Sequence, residues 1–300
     1  MPHPPRPFSS DSSSPVDVPS RDRSARGTDL LDTTYGPIAF DVRGAGEKTI
    51  VLLPSGAHDR HDFGELRAIL TPNFRTISLD WPAHGESPRG DTPASAMRFA
   101  DIAEELIEQL APDGAIVLGN SVGGFAAARL AIRRPELVKG LVVVDGGGFA
   151  GRPPHVHAFC ALMARPRFLR AIYPLFSALY MRARTPADVR ARATAIATTR
   201  SDPGRRAVSE LWRSFASPEH DLRSEADQID APTLLIWGRR DPVIPVRFGK
   251  RAERLITDAR LVVLDTGHVP HTSEPERVAA ELTSFAEALF AELDSAHAAA

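Results

Sequence analysis

Residues Ala115-Ile116-Val117-Leu118-Gly119-Asn120-Ser121-Val122-Gly123-Gly124-Phe125 decide how the rest of this 300-residue chain is read. Ala115–Leu118 is a short apolar run with the character of a buried strand. Phe125–Ile132 reads as a helix that ends at Pro135. Strand, G-x-S-x-G and helix, in that order, form the context of a nucleophile elbow. Its physics is steric: the serine sits in strained backbone, and flanking glycines let strand and helix approach without Cβ clashes. The hydroxyl then stands at a helix N-terminus, where peptide dipoles favour developing negative charge.

Working outward, Thr49–Leu53, Phe74–Asp80, Leu141–Asp145 and Thr233–Trp237 are further strand-like runs, and Leu261–Leu264 is apolar enough to predict a buried strand. Phe63–Leu70 and Pro93–Leu110 read as helices, the second with Phe99, Ile102, Ala103, Leu106 and Leu110 at helical spacing. Strands alternating with helices predict an α/β fold with a mostly parallel central sheet flanked by helices. Thr34–Val42, with Gly36-Pro37 inside it, predicts a hairpin before the sheet, and Pro275–Leu293 a final amphipathic helix. Between Asp145 and Thr233 lie about 80 residues rich in Ala and Arg, without strand signals. They read as helices broken near Pro166, Pro174, Pro186, Pro203 and Pro218, an all-helical cap inserted over the strand ends.

A serine hydroxyl is a poor nucleophile until a base takes its proton. In open α/β sheets, active sites lie at the carboxyl ends of the parallel strands. His268 follows the strand ending at Leu264, and Asp241 follows the strand ending at Trp237. Ser121, Asp241 and His268 therefore share one edge of the sheet, in the order Ser…Asp…His that accompanies this elbow. His271, beyond Pro270, is the rival base and reads as a packing residue. His84 reads as a tie within the loop after Asp80, whereas His58 and His61 flank the loop after Leu53 and are candidates to touch substrate.

Together these features resemble the α/β-hydrolase family over roughly Thr34 to Leu293. The motifs are the elbow at Ser121, Asp80-x-Pro-Ala-His84-Gly-x-Ser87, Gly238-x-x-Asp241-x-x-x-Pro245 and Gly267-His268-x-Pro-His271. The resemblance implies Ser121 as nucleophile, His268 as base and Asp241 as the acid orienting it. It also implies an oxyanion hole from the backbone N–H of Val122 and of a residue after Leu53, by position Ala57. Ser55-Gly56 stands where the family usually carries His-Gly, which puts that loop's shape in question. Gly56, His58, Asn120 and Phe149 are the expected substrate contacts. The chemistry implied is acyl transfer on a small hydrophobic ester, lactone or related carbonyl compound, with neither metal nor cofactor. Apolar cap residues Phe159, Leu162, Met163, Phe168, Ile172, Tyr173, Phe176, Leu179 and Tyr180 suit a hydrophobic acyl or aromatic group, and the Arg-rich stretch Arg182–Arg206 offers charge for a carboxylate.

Alternatives stay open on the sequence alone. Asn120 before the nucleophile is similar to hydrolases that cleave a carbon–carbon bond in aromatic ring-cleavage products. A non-hydrolytic ligand receptor on the same fold, and cofactor-free perhydrolysis, are further readings; serine at position 121 disfavours an aspartate-nucleophile dehalogenase or epoxide hydrolase.

Composition bounds the rest. A formal net charge of −2 gives no electrostatic reason to expect nucleic acid or an anionic membrane surface. The single cysteine, Cys160, excludes an internal disulfide and suits a reducing cytoplasm. No apolar run approaches the ~20 residues that span a bilayer. Residues 1–28, rich in Pro and Ser, read as a disordered tail without a secretory signal. The remaining expected divisions are a first core part at 29–147, the cap at 148–228, a second core part at 229–294 and a short tail at 295–300. Oligomeric state is not legible.

Overall fold

A computed structural model describes residues 27–299. Residues 1–26 of the expected N-terminal tail lie outside the described residues, but Thr28, also within that expectation, is engaged: its Oγ1 accepts from Arg60 Nη2 at 2.7 Å. Eight strands form one sheet: β1 (Asp29–Thr33), β2 (Gly36–Arg43), β3 (Thr49–Leu53), β4 (Arg75–Leu79), β5 (Ala115–Asn120), β6 (Val138–Val144), β7 (Thr233–Gly238) and β8 (Ala259–Leu264). Their spatial order is β1-β2-β4-β3-β5-β6-β7-β8. β1 and β2 are antiparallel additions at one edge, and every pairing from β4 to β8 is parallel.

Period-two alternation explains why these runs are apolar throughout. Val51, Leu53, Val117, Leu141, Val143 and Leu235 point to one face, under α2 (Ala96–Leu110), α3 (Val122–Arg133) and α8 (Arg247–Leu255). Ile50, Leu52, Ile116, Leu118, Val142, Val144, Leu234 and Ile236 point to the other, under α1 (Gly64–Leu70) and α10 (Pro275–Ala299). Each fully buried aliphatic side chain of this kind contributes roughly 1.5–3 kcal/mol.

The cap holds four helices, α4 (Pro154–Met163), α5 (Pro166–Met181), α6 (Pro186–Arg200) and α7 (Asp202–Ser214), which share a small core around Met163, Leu169, Tyr173 and Ala195. A short helix α9 (Pro270–Ser273) follows β8. Asp188, fully buried on α6, binds the cap to it by accepting from Thr272 Oγ1 at 2.6 Å and Ser273 Oγ at 2.8 Å.

Several sequence expectations are corrected. The hairpin turns at Thr34-Tyr35, and Gly36 opens β2 instead of forming the turn. β8 is the edge strand, so Leu261, Val262 and Val263 are only half-buried. Pro174 does not break a helix: α5 runs through it, since one missing N–H is offset by packing along the rest of the helix. Helix α2 starts at Ala96 because Ser95 Oγ caps it, accepting from Arg98 N. Helix α10 continues past Leu293 to Ala299, through residues expected as a tail. Among the described residues no helix is long and apolar enough to cross a membrane.

Candidate active site

The elbow has the expected strain. Ser121 sits at φ 57°, ψ −114°, between β5 and α3. A β-carbon at Gly119 would lie 2.0 Å from Gly123 O, and one at Gly123 would lie 2.2 Å from Leu53 O. Only glycine lets the three segments pass this closely. Ser121 N donates to Val144 O at 3.0 Å, which locks the turn to β6. Val122 is the first residue of α3, so its N–H has no helical acceptor.

Each remaining strand end adds one piece. Asp241, after β7, is buried, and its Oδ2 accepts from His268 Nδ1 at 2.6 Å. Its Oδ1 accepts from the N–H groups of Val243 at 2.7 Å and Ile244 at 3.1 Å. His268, after β8, donates its backbone N–H to Tyr180 O at 2.9 Å and packs edge-on against the Tyr180 ring, centroids 5.7 Å apart. Ser121 and His268 line the same cavity, of about 430 Å³, between the strand ends and the cap. No hydrogen bond joins Ser121 to His268 among the described residues, and catalytic hydrogen bonds of this type often tighten only in the complex with substrate.

The loop after β3 corrects one expectation by a single residue. The Ala57 N–H is not free: it donates to His84 Nε2 at 2.9 Å, and Ala57 is completely buried at φ 71°. Gly56, not Ala57, lines the cavity, and a β-carbon there would sit 3.8 Å from Val122 Cγ1. Burial lowers the pKa of His84 to about 4, so its Nε2 stays an acceptor while Nδ1–H donates to Pro82 O at 2.9 Å. The loop is braced again from below, since Asp80 accepts from the N–H groups of Arg60 and Glu86, each at 2.8 Å.

Three expected substrate contacts are likewise corrected. His58 is buried behind the wall, paired through Nδ1 with Asp62 and through Nε2 with Tyr180 Oη at 2.8 Å. Asn120 is wholly buried because it is the last residue of β5 and points away from the cavity; its Nδ2 donates to Val144 O and His268 O, both at 3.0 Å. Phe149 is packed in the core, with its carbonyl held by Arg251. Asn120, the residue that suggested the carbon–carbon reading, is not among the lining residues of the cavity.

Of the apolar cap residues expected at the pocket, Phe159, Tyr173, Phe176, Leu179 and Tyr180 do line it. Leu162, Met163, Phe168 and Ile172 do not; the last three pack in the cap core, because they lie nearer the α4–α5 junction than the lining residues of either helix. No arginine of the Arg182–Arg206 stretch reaches the cavity: Arg184 and Arg190 pair with Asp265 and Glu65, and Arg192 holds Pro174 O at 3.0 Å. Sequence reasoning missed Val208, Leu211, Trp212 and Phe215 of the wall, although i, i+3, i+4, i+7 spacing marks them as one helix face. It also missed Arg247, the one permanent cation on the wall, which stacks on Phe248 at 4.7 Å. No Asp or Glu is among the lining residues described, and Arg247 has no ion pair among them.

Asp145, after β6, was also missed; with Asp241 and His268 it forms the one group of three such carboxylate and imidazole side chains with atoms within 4.8 Å of one another among the described residues. His268 Nδ1 and Asp241 Oδ2 are committed to each other there, which suits a shared proton better than a metal ion.

Residues 50–281 match the model of the alpha/beta hydrolase family. The chain belongs to the alpha/beta hydrolase family. This α/β hydrolase is 29% identical to a pimeloyl-[acyl-carrier protein] methyl ester esterase of Edwardsiella ictaluri over 261 residues, covering 81% of this chain and 95% of that protein. Its fold superimposes on the crystal structure of a hydrolase from Pseudomonas aeruginosa PA01 with a TM-score of 0.75 at 26% identity, over 87% of this chain and 98% of that one. An enol-lactonase from Burkholderia xenovorans LB400 shares the fold, with a TM-score of 0.74 at 21% identity over 86% of this chain and 100% of that one.

Proposed function

We propose that this α/β hydrolase cleaves carboxylic esters by two-step acyl transfer. His268 Nε2 removes the Ser121 proton, Oγ attacks the carbonyl, and the backbone N–H groups of Val122 and Gly56 hold the oxyanion. His268 then protonates the leaving alcohol, water attacks the acyl-enzyme while His268 takes its proton, and the same histidine passes that proton to Ser121 Oγ as the acid leaves. Asp241 holds the imidazole tautomer and stabilises its charged form without taking the proton. Each step uses a group of this chain or water. The reading rests on one observation: a serine at positive φ shares a cavity with a buried histidine already bonded to a carboxylate. The named esterase relative supports the same chemistry.

The substrate we infer is a hydrophobic ester or lactone with an anionic group remote from the scissile carbonyl. The rings of Phe159, Tyr173, Phe176, Tyr180 and Trp212 line the wall from the cap, and Arg247 is its unpaired charge. Ser121→Ala and His268→Ala are expected to lower kcat on a p-nitrophenyl ester by about 10⁴-fold or more, as in other such triads. A fluorophosphonate should label the wild type and not Ser121→Ala. Near-normal turnover by Ser121→Ala overturns the mechanism.

A further inference from the structure

One buried acid has no part in the scheme above. Asp145 is fully buried, and its side chain, that of Asp241 and that of His268 offer atoms within 4.8 Å of one another. The placement is deliberate in backbone terms. Asp145 is held at φ 42° by its N–H bond to Ile236 O at 3.0 Å, and such strain in a non-glycine residue gathers at functional sites.

Two carboxylates this close, walled off from water, repel strongly if both are charged. Hydrogen-bond donors decide which one carries the proton. Asp241 receives three N–H groups, from Val243, Ile244 and His268. Asp145 receives one, from Gly238, at 2.9 Å to Oδ1 and 3.2 Å to Oδ2. Among the described residues no arginine or lysine pairs with Asp145; the titratable groups facing it are Asp241 from the loop after β7 and His268 from the loop after β8.

We propose that Asp145 is a neutral carboxylic acid acting as a positioning residue, donating its proton in a hydrogen bond to the Asp241 carboxylate. Burial first, and the neighbouring Asp241 carboxylate second, push its pKa well above the usual carboxylate range, in line with this assignment. The bond spreads the charge of Asp241 and fixes its rotamer, so that His268 faces one carboxylate charge instead of two. A second charge would stabilise the imidazolium and withhold the base from Ser121. This inference rests on the proposed role of His268, and its test is built to fail separately.

The experiment compares Asp145→Asn, Asp145→Ala and wild type in the pH profile of kcat/KM on a neutral p-nitrophenyl ester, with Ser121→Ala alongside. Asparagine can still donate to Asp241 and accept from Gly238. Asp145→Asn is expected to keep kcat within about threefold and leave the acid limb in place. Asp145→Ala removes the donor and concentrates charge on Asp241; kcat should fall about tenfold with KM unchanged, and the acid limb should rise by about half a pH unit. Infrared spectra at pH 8 should show the carbonyl stretch of a buried protonated carboxyl, absent in Asp145→Asn. A downward shift of the limb by about one unit in Asp145→Asn means the native group is an anion and overturns the proposal. So does Asp145→Ala with a lowered Tm and an unmoved profile. If Asp145→Ala does not fold, the Asp145→Asn profile and infrared band decide alone. Activity surviving in Ser121→Ala sinks the hydrolase mechanism but leaves the infrared test of Asp145 standing.

Discussion

The backbone N–H of Ala57 donates to Nε2 of His84 at 2.9 Å, tying the loop after β3 to the loop after β4. The Ala57 N–H is thereby committed to His84, and its neighbour Gly56 is left facing the cavity. The same bond explains what the Asp80-x-Pro-Ala-His84-Gly-x-Ser87 motif does here. Ser87 Oγ donates to Asp80 O at 2.6 Å and accepts from Ala39 N at 2.8 Å, so the motif anchors itself to β2 and presents His84 upward.

His84→Ala is therefore expected to hurt both stability and rate. A buried N–H left without a partner costs about 1–3 kcal/mol. Loss of a fixed Gly56 N–H should lower kcat by about tenfold or more, with little change in KM. Denaturant unfolding and steady-state kinetics check this; an unchanged kcat in a destabilised mutant rejects the link between His84 and the oxyanion loop.

Arg247 predicts a preference that removal of its charge should abolish. A half-ester of a dicarboxylic acid should show a lower KM than its neutral diester. Arg247→Gln should raise KM for the half-ester by about tenfold, the low end for a hydrogen bond to a charged group at a solvent-exposed rim, and leave the diester alone. Equal effects on both esters dismiss the anionic-substrate reading.

Asn120→Ala tests the reassignment of that residue. Because Nδ2 holds His268 O and Val144 O, the variant should lose kcat through a looser His268 loop, with KM for a range of esters unchanged. A KM change confined to one substrate class would instead put Asn120 at the substrate.

Acid stability carries its own signature. Burial pushes the pKa of His84 and His220 to about 4 and that of His271 to about 3, against 6.5 ordinarily. The unfolded chain thus binds protons that the folded chain refuses. Stability from these groups is complete above pH 6.5 and drains away as pH falls toward 4, by about 1–3 kcal/mol for each group. Urea unfolding at pH 7, 6, 5 and 4 should show this decline, and the slope should shrink in His271→Phe, whose ring replaces an imidazole stacked on Phe63 at 4.4 Å.

The fold and the serine, histidine and aspartate of the site were legible for a common reason. Apolar runs at strand length, helices between them and a glycine-flanked serine are local signals, and a parallel sheet sends the carboxyl end of every strand to one edge. Knowing that a residue follows a strand was enough to gather Ser121, Asp241 and His268. What failed were matters of a single residue or a single face. Gly56 and Ala57 differ by one step in a loop whose direction is set by His84, 27 residues away. Asn120 lies one residue from Ser121 yet faces inward, because strand parity sends alternate side chains to opposite faces.

By itself, then, the sequence determined the element types, the elbow and the shared edge, since these follow from periodicity and from residues that only certain backbone turns accept. Tertiary structure alone decided that β6 lies beside β7, bringing Asp145 to Asp241, and that the arginines of α6 turn outward while Arg247 meets the cavity. Strand order and side-chain facing depend on which surfaces pack together, and that is a property of contacts between residues far apart in the chain.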